Sequence, residues 1–130
     1  MITDRVGDFI VRLQNAAMAK KPGVSVPYSA HLEEIAKKLQ TLGYIASVDT
    51  KSKPKKTLEI TLVTDARGNA RLQGVKRVSK PGRRLYVSTR EAHGVKNGSG
   101  ARILSTPRGI LSDAEARKVR MGGENLFEIW

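Results

Sequence analysis

Two hydroxyls stand side by side at Ser105 and Thr106, followed by Pro107, Arg108 and Gly109. Proline fixes its own φ and pushes the residue before it out of the helical region, and glycine accepts angles that other residues resist, so these five residues predict a rigid turn. Short hydroxyls, backbone groups and one guanidinium are poor catalysts. They suit a polar surface, because hydroxyls donate to phosphate oxygens and accept from ribose hydroxyls or base edges. Gly122, Gly123 and Glu124 are a second candidate: bare backbone allows close approach, and the carboxylate can accept from a base amino group or a ribose hydroxyl. A carboxylate repels phosphate, so its contact would be to base or sugar. Tyr86 is a candidate for one base or ribose contact, and Lys55, Lys56 and Arg84 for phosphate contacts. Each also has a plainer explanation: a stable hairpin, a helix stop before a strand, a core tyrosine, solvated charges.

Chemistry of other kinds finds little support. There is no Cys, so no disulfide, thiolate metal site or Cys nucleophile is available, and the composition fits a reducing compartment. His31 and His93 lie far apart and in no metal-ligand spacing. No dinucleotide fingerprint, phosphate-binding loop or nucleophile elbow is present. Ser105 has no His or Lys partner close in sequence. Asp113 with Glu115, and Glu33 with Glu34, fall in first turns of expected helices, where acids complement the macrodipole. The sequence therefore predicts no enzyme, no cofactor and no metal. No run of about 18 apolar residues occurs, so no membrane span is expected. The opening MITDRVGDFIVRL carries acids early and reads as no signal peptide.

Charge narrows the partner. The 130 residues carry 24 Lys+Arg and 12 Asp+Glu, a net +12. Up to Asp65 there are 10 basic and 7 acidic residues; after it there are 14 and 5, ten of the 14 being Arg. Arg offers a planar fork for phosphate and for stacking on bases. A concentrated excess of this kind attracts a polyanion through counterion release. Only Tyr86, Phe127 and Trp130 are aromatic in the second half, too few for the stacked array of a single-strand binder. An RNA duplex displays its 2′-hydroxyls in a shallow minor groove, which a short hydroxyl-bearing turn fits. A DNA-binding architectural protein is the competing class.

The elements that must carry these residues follow from periodicity. Val6, Phe9, Ile10, Leu13 and Ala17 predict an amphipathic helix over 4–19, ended by Lys20-Lys21-Pro22-Gly23. Val24 to Pro27 reads as an edge strand. Ser29 is the expected N-cap of a second helix, with Leu32, Ile35, Ala36, Leu39 and Leu42 on its apolar face and Gly43 as its stop. Strands follow over 44–49 and around Leu58, Ile60 and Leu62, joined by a basic loop over 51–56. Asp65 to Asn69 is a turn cluster and the expected boundary. After it come a strand over 70–78 that slips near Gly74, a turn at Lys80-Pro81-Gly82, and a return strand over 84–89. The loop His93 to Ser99, with one helical turn, precedes the Ser105 hairpin. Ser112 with Glu115 has the spacing of a capping box for a helix over 112–120, and a strand runs from Glu124. The expected fold is α+β in two packed small domains. Residues 1–65 form two helices with an antiparallel sheet; residues 66–130 form a second antiparallel sheet with one main helix.

A resemblance rests on these residues. Gly100, Ile103, Leu104, Ser105, Thr106, Gly109, Ile110, Leu111, Ala116 and Arg117 match in order and spacing the signature of the small-subunit ribosomal protein eight family. Asp4 to Asn15 resembles that family's opening helix, Val78 to Tyr86 its central hairpin, and Gly122 to Trp130 its closing strand. The resemblance implies a cytoplasmic protein of the small ribosomal subunit, a monomer outside the ribosome. It implies primary binding of a helical element in the central domain of the ribosomal RNA, neighbouring small-subunit proteins as partners, and repression of its own operon through a mimicking messenger RNA. Ser105, Thr106 and Gly109 match the family's RNA-reading turn, with Pro107 where Ser is common. Gly122, Gly123 and Glu124 match its second contact, and Tyr86 its hairpin tyrosine. Ala30 stands where many relatives carry Lys and Ala16 where Gly is usual, so weaker RNA contacts are expected in the first half.

Overall fold

The structure is a computed structural model and describes residues 4–52, 55–80, 82–87 and 100–130. The loop expected over 93–99 and the end of the return strand after residue 87 lie outside the described residues. The elements run α1 (Arg5–Met18), β1 (Gly23–Pro27), α2 (Ala30–Thr41), β2 (Ile45–Lys51), β3 (Thr57–Leu62), β4 (Val75–Arg77), β5 (Tyr86–Val87), β6 (Ala101–Thr106), β7 (Gly109–Ser112), α3 (Asp113–Val119) and β8 (Gly123–Ile129). The fold is α+β, with helices and an antiparallel sheet in the N-terminal part and a second antiparallel sheet with one helix in the C-terminal part.

Two compact units emerge, one of residues 8–73 and one of residues 1–7 with 74–130. The turn at Asp65 to Asn69, read from sequence as the boundary, thus lies inside the first unit. Thr64 bridges Ala70, the Arg71 amide donates to the Val63 carbonyl at 2.9 Å, and Leu72 is buried. The single strand expected over 70–78 is accordingly shorter: only β4 forms, because residues 70–72 belong with one unit and 75–77 with the other.

In the N-terminal unit the strand order is β1-β3-β2, with β1 at an edge as expected. Phe9, Ile10 and Leu13 of α1 and Leu32, Ile35 and Leu39 of α2 are buried, as are Leu58, Ile60 and Leu62 of β3. Each such side chain contributes roughly 1.5–3 kcal/mol on leaving water. Asp8 and Arg12 occupy the exposed side of α1 as an i,i+4 pair at 3.0 Å. Ser29 does precede α2 in extended conformation, but its side chain makes no capping bond.

In the C-terminal unit the order is β4-β8-β6-β7, and β5 also pairs with β8. Buried Ile103, Leu104, Phe127 and Ile129 form its core with Ala116 of α3. The capping box is present: Ser112 Oγ accepts from the Glu115 amide and the Glu115 carboxylate accepts from the Ser112 amide. α3 ends on Arg120 at φ +55, so the helix stop lies before Gly122; Lys20 after α1 is alike at φ +57.

Asp4 caps the start of α1, accepting from the Gly7 amide at 3.0 Å, and forms a bidentate ion pair with Arg77 of β4. That guanidinium holds the Asp4 carboxyl below the ordinary value, against an opposing push from burial. A depressed folded-state pKa stabilises fully above the unfolded value, near 3.8, and the gain is lost as pH falls through the folded one. Between about pH 4 and 2 the wild type should lose urea resistance more steeply than Asp4→Asn. Parallel pH profiles would exclude this role.

Candidate nucleic-acid interface

The Ser105 hairpin is built as its residue types require. β6 and β7 pair Thr106 with Gly109, and Gly109 sits at φ +104, a region that strains any side chain even though open space surrounds it. The Thr106 hydroxyl donates to the Gly109 carbonyl at 2.8 Å and accepts from the Arg108 amide at 3.1 Å. Its proton is therefore used inside the turn, and what it can offer a ligand is a lone pair. The Ser105 hydroxyl has no hydrogen-bond partner among the described residues. Thr106 thus holds the turn while Ser105 can both donate and accept. Pro107 and Arg108 are exposed at the tip.

Register assembles the rest. Ser105 pairs with Glu124 across β6 and β8, and Glu124 pairs with Tyr86 across β8 and β5. Directly opposed residues project to one face, so Ser105, Glu124 and Tyr86 form a row across three strands. Tyr86 is 69% exposed, so it is not a core residue. Gly123 has a structural reason to be glycine: a Cβ there would collide with the Ser105 carbonyl and lie 2.9 Å from Thr106 Cγ2. Its absent side chain lets β6 approach. Gly122 lies half-exposed just before β8.

The electrostatics answer the problem of a carboxylate on such a face. Glu124 Oε2 accepts from Arg84 Nη1 at 3.0 Å and from the buried Ser79 hydroxyl at 2.5 Å. The Glu124 side chain is only 15% exposed, whereas Arg84 is 54% exposed and leaves a cation outermost. The hydrogen bond to Glu124 and its charge raise the Arg84 pKa above its already high ordinary value, so it stays charged. Ser79 escaped sequence reasoning, because a serine before Lys80-Pro81-Gly82 looks like ordinary turn chemistry.

Three cations are placed differently. Arg102 of β6 is partly buried and ion-paired with Glu128 at 3.4 Å, while its amide donates to Asp113. Lys55 is exposed and belongs to the N-terminal unit, as does Lys56, whose ammonium lies 3.8 Å from the centre of the Tyr28 ring. The C-terminal unit itself brings together Ser105, Thr106, Pro107, Arg108, Gly109, Gly123, Glu124, Tyr86 and Arg84. Among the described residues no helix is long and apolar enough to cross a membrane.

The family profile described as ribosomal protein S8 matches residues 4–130. A small ribosomal subunit protein uS8 of Persephonella marina is 43% identical, with all of both chains covered. Proteins of the same name from Sorangium cellulosum and Dictyoglomus thermophilum are 40% and 42% identical, covering 98% or more of each chain. A match of this extent makes the chain a member of the ribosomal protein S8 family, with a structural ribosomal role and no enzymatic one.

Proposed function

We propose that this protein is a primary binder of small-subunit ribosomal RNA, and that the row of Ser105, Glu124 and Tyr86 with Arg84 is its contact face. The RNA is a helical, internally irregular element of the central domain, and binding helps that domain fold during assembly. The observation that carries this is the cross-strand row, which sets a hydroxyl without a partner among the described residues, a restrained carboxylate and an exposed ring on one face. Such a face is short and polar and suits the shallow groove of an RNA helix, where 2′-hydroxyls and base edges are exposed. The excess of 14 basic over 5 acidic residues after Asp65 supplies the attraction to phosphate. The family's place in the small subunit supports RNA and neighbouring ribosomal proteins as partners, in the cytoplasm. The protein is a monomer before assembly. A messenger RNA of its own operon that mimics the same element would bind the same face and be repressed.

Footprinting of the purified protein on naked small-subunit RNA tests this. Protection confined to one helical element is expected, and equal affinity for duplex DNA would favour the architectural DNA binder instead. Lys55→Ala, in the N-terminal unit, should change the slope of log affinity against log salt by about one unit or less. A larger change would move the main phosphate contacts away from the C-terminal face.

A further inference from the structure

We propose that Ser79 is the positioning residue of this face, presetting both Glu124 and the segment that carries Arg84 and Tyr86. The proposal rests on the RNA-binding reading and adds a residue to it. Ser79 is 3% exposed, so it touches no ligand itself. Its hydroxyl accepts from the Leu85 amide at 3.2 Å and donates to Glu124 Oε2 at 2.5 Å. Its own amide donates to the Asn125 carbonyl at 3.1 Å, and its carbonyl accepts from Arg77 Nε at 2.9 Å. All the polar groups of one small residue are thus engaged, by β4, by β8 and by the stretch before β5.

Two of these bonds act on the face. Leu85 lies between Arg84 and Tyr86, so fixing its amide fixes where both neighbours emerge. The bond to Glu124 acts on the carboxylate directly. A glutamate has three rotatable bonds, and left alone it would have to be ordered when RNA arrives, at a cost in affinity. Two donors on one oxygen order it beforehand. They also keep its charge next to Arg84 and away from approaching phosphates. A buried alanine at this position would fill nearly the same space and do neither.

The test is RNA affinity of the full chain for naked small-subunit RNA, with thermal melting in parallel. The variants are Ser79→Ala, Ser79→Cys, Glu124→Gln and the two double changes. Ser79→Ala should weaken binding about tenfold in the wild-type background, the scale of a hydrogen bond to a charged group. In the Glu124→Gln background the same change should cost clearly less than tenfold, because the Glu124 part of its effect is already gone and only the Leu85 bond remains to be lost. Ser79→Cys keeps the volume with a weaker donor and should fall between; it also serves if the alanine variant does not fold. Equal losses in both backgrounds, or none in either, would leave Ser79 a merely structural residue and overturn the proposal while wild-type binding stood. Failure of the wild type to bind the RNA would instead remove the reading beneath it.

Discussion

Gly123→Ala is expected to lower the unfolding free energy by about 2–3 kcal/mol, the scale of a forced overpacking, and to weaken RNA binding as well. The added carbon has nowhere to go. It meets the backbone carbonyl of Ser105 and the methyl of Thr106, and neither is the far end of a flexible side chain. β6 is bonded to β7 on one side and to β8 on the other, so it cannot shift without dragging the hairpin that ends in the turn. The damage therefore reaches Ser105 and Thr106 although neither is mutated. Gly23→Ala is the control: open space surrounds that position, and its effect should stay within about 0.5 kcal/mol. Denaturant unfolding and RNA affinity measured on both variants decide the matter. A Gly123→Ala protein that unfolds and binds like the wild type would show that the strands part more easily than their contact implies.

Changing Ser105 and Thr106 together to alanine should cost about 2–3 kcal/mol of RNA binding, roughly 30- to 150-fold in affinity. The two single changes should behave differently. The Ser105 hydroxyl makes no bond inside the described protein, so Ser105→Ala should leave unfolding unchanged and act on affinity alone. The Thr106 hydroxyl bonds the Gly109 carbonyl and the Arg108 amide, so Thr106→Ala should reduce stability and affinity together. Thr106→Ser restores those bonds and should recover most of both. RNA affinity indifferent to the double change would remove the turn from the contact face.

The features legible in the sequence are those that depend on near neighbours. The capping box of Ser112 and Glu115 and the Thr106–Gly109 turn each span four residues, so local chemistry alone declares them. The helical stripes of Phe9, Ile10 and Leu13 and of Leu32, Ile35 and Leu39 were legible for the same reason. The row of Ser105, Glu124 and Tyr86 was not. It depends on strand register between residues far apart in the chain, and the pairing of β6 with β8 shifts by a bulge between Ile103 and Leu104. The members of the row were named from sequence, but not their alignment. The role of Ser79 is not legible in the sequence, since nothing in a linear pattern tells a buried serine from a turn serine. The run over 70–78 misled because alternation reveals a strand but not which sheet it serves.

Lys20 and Arg120 carry one more consequence. Both hold a left-handed backbone where a glycine would relax. Relaxing them would recover on the order of 1 kcal/mol apiece and would strip two positive charges from the chain. Selection for heat tolerance and selection for grip on a polyanion therefore pull these two positions in opposite directions.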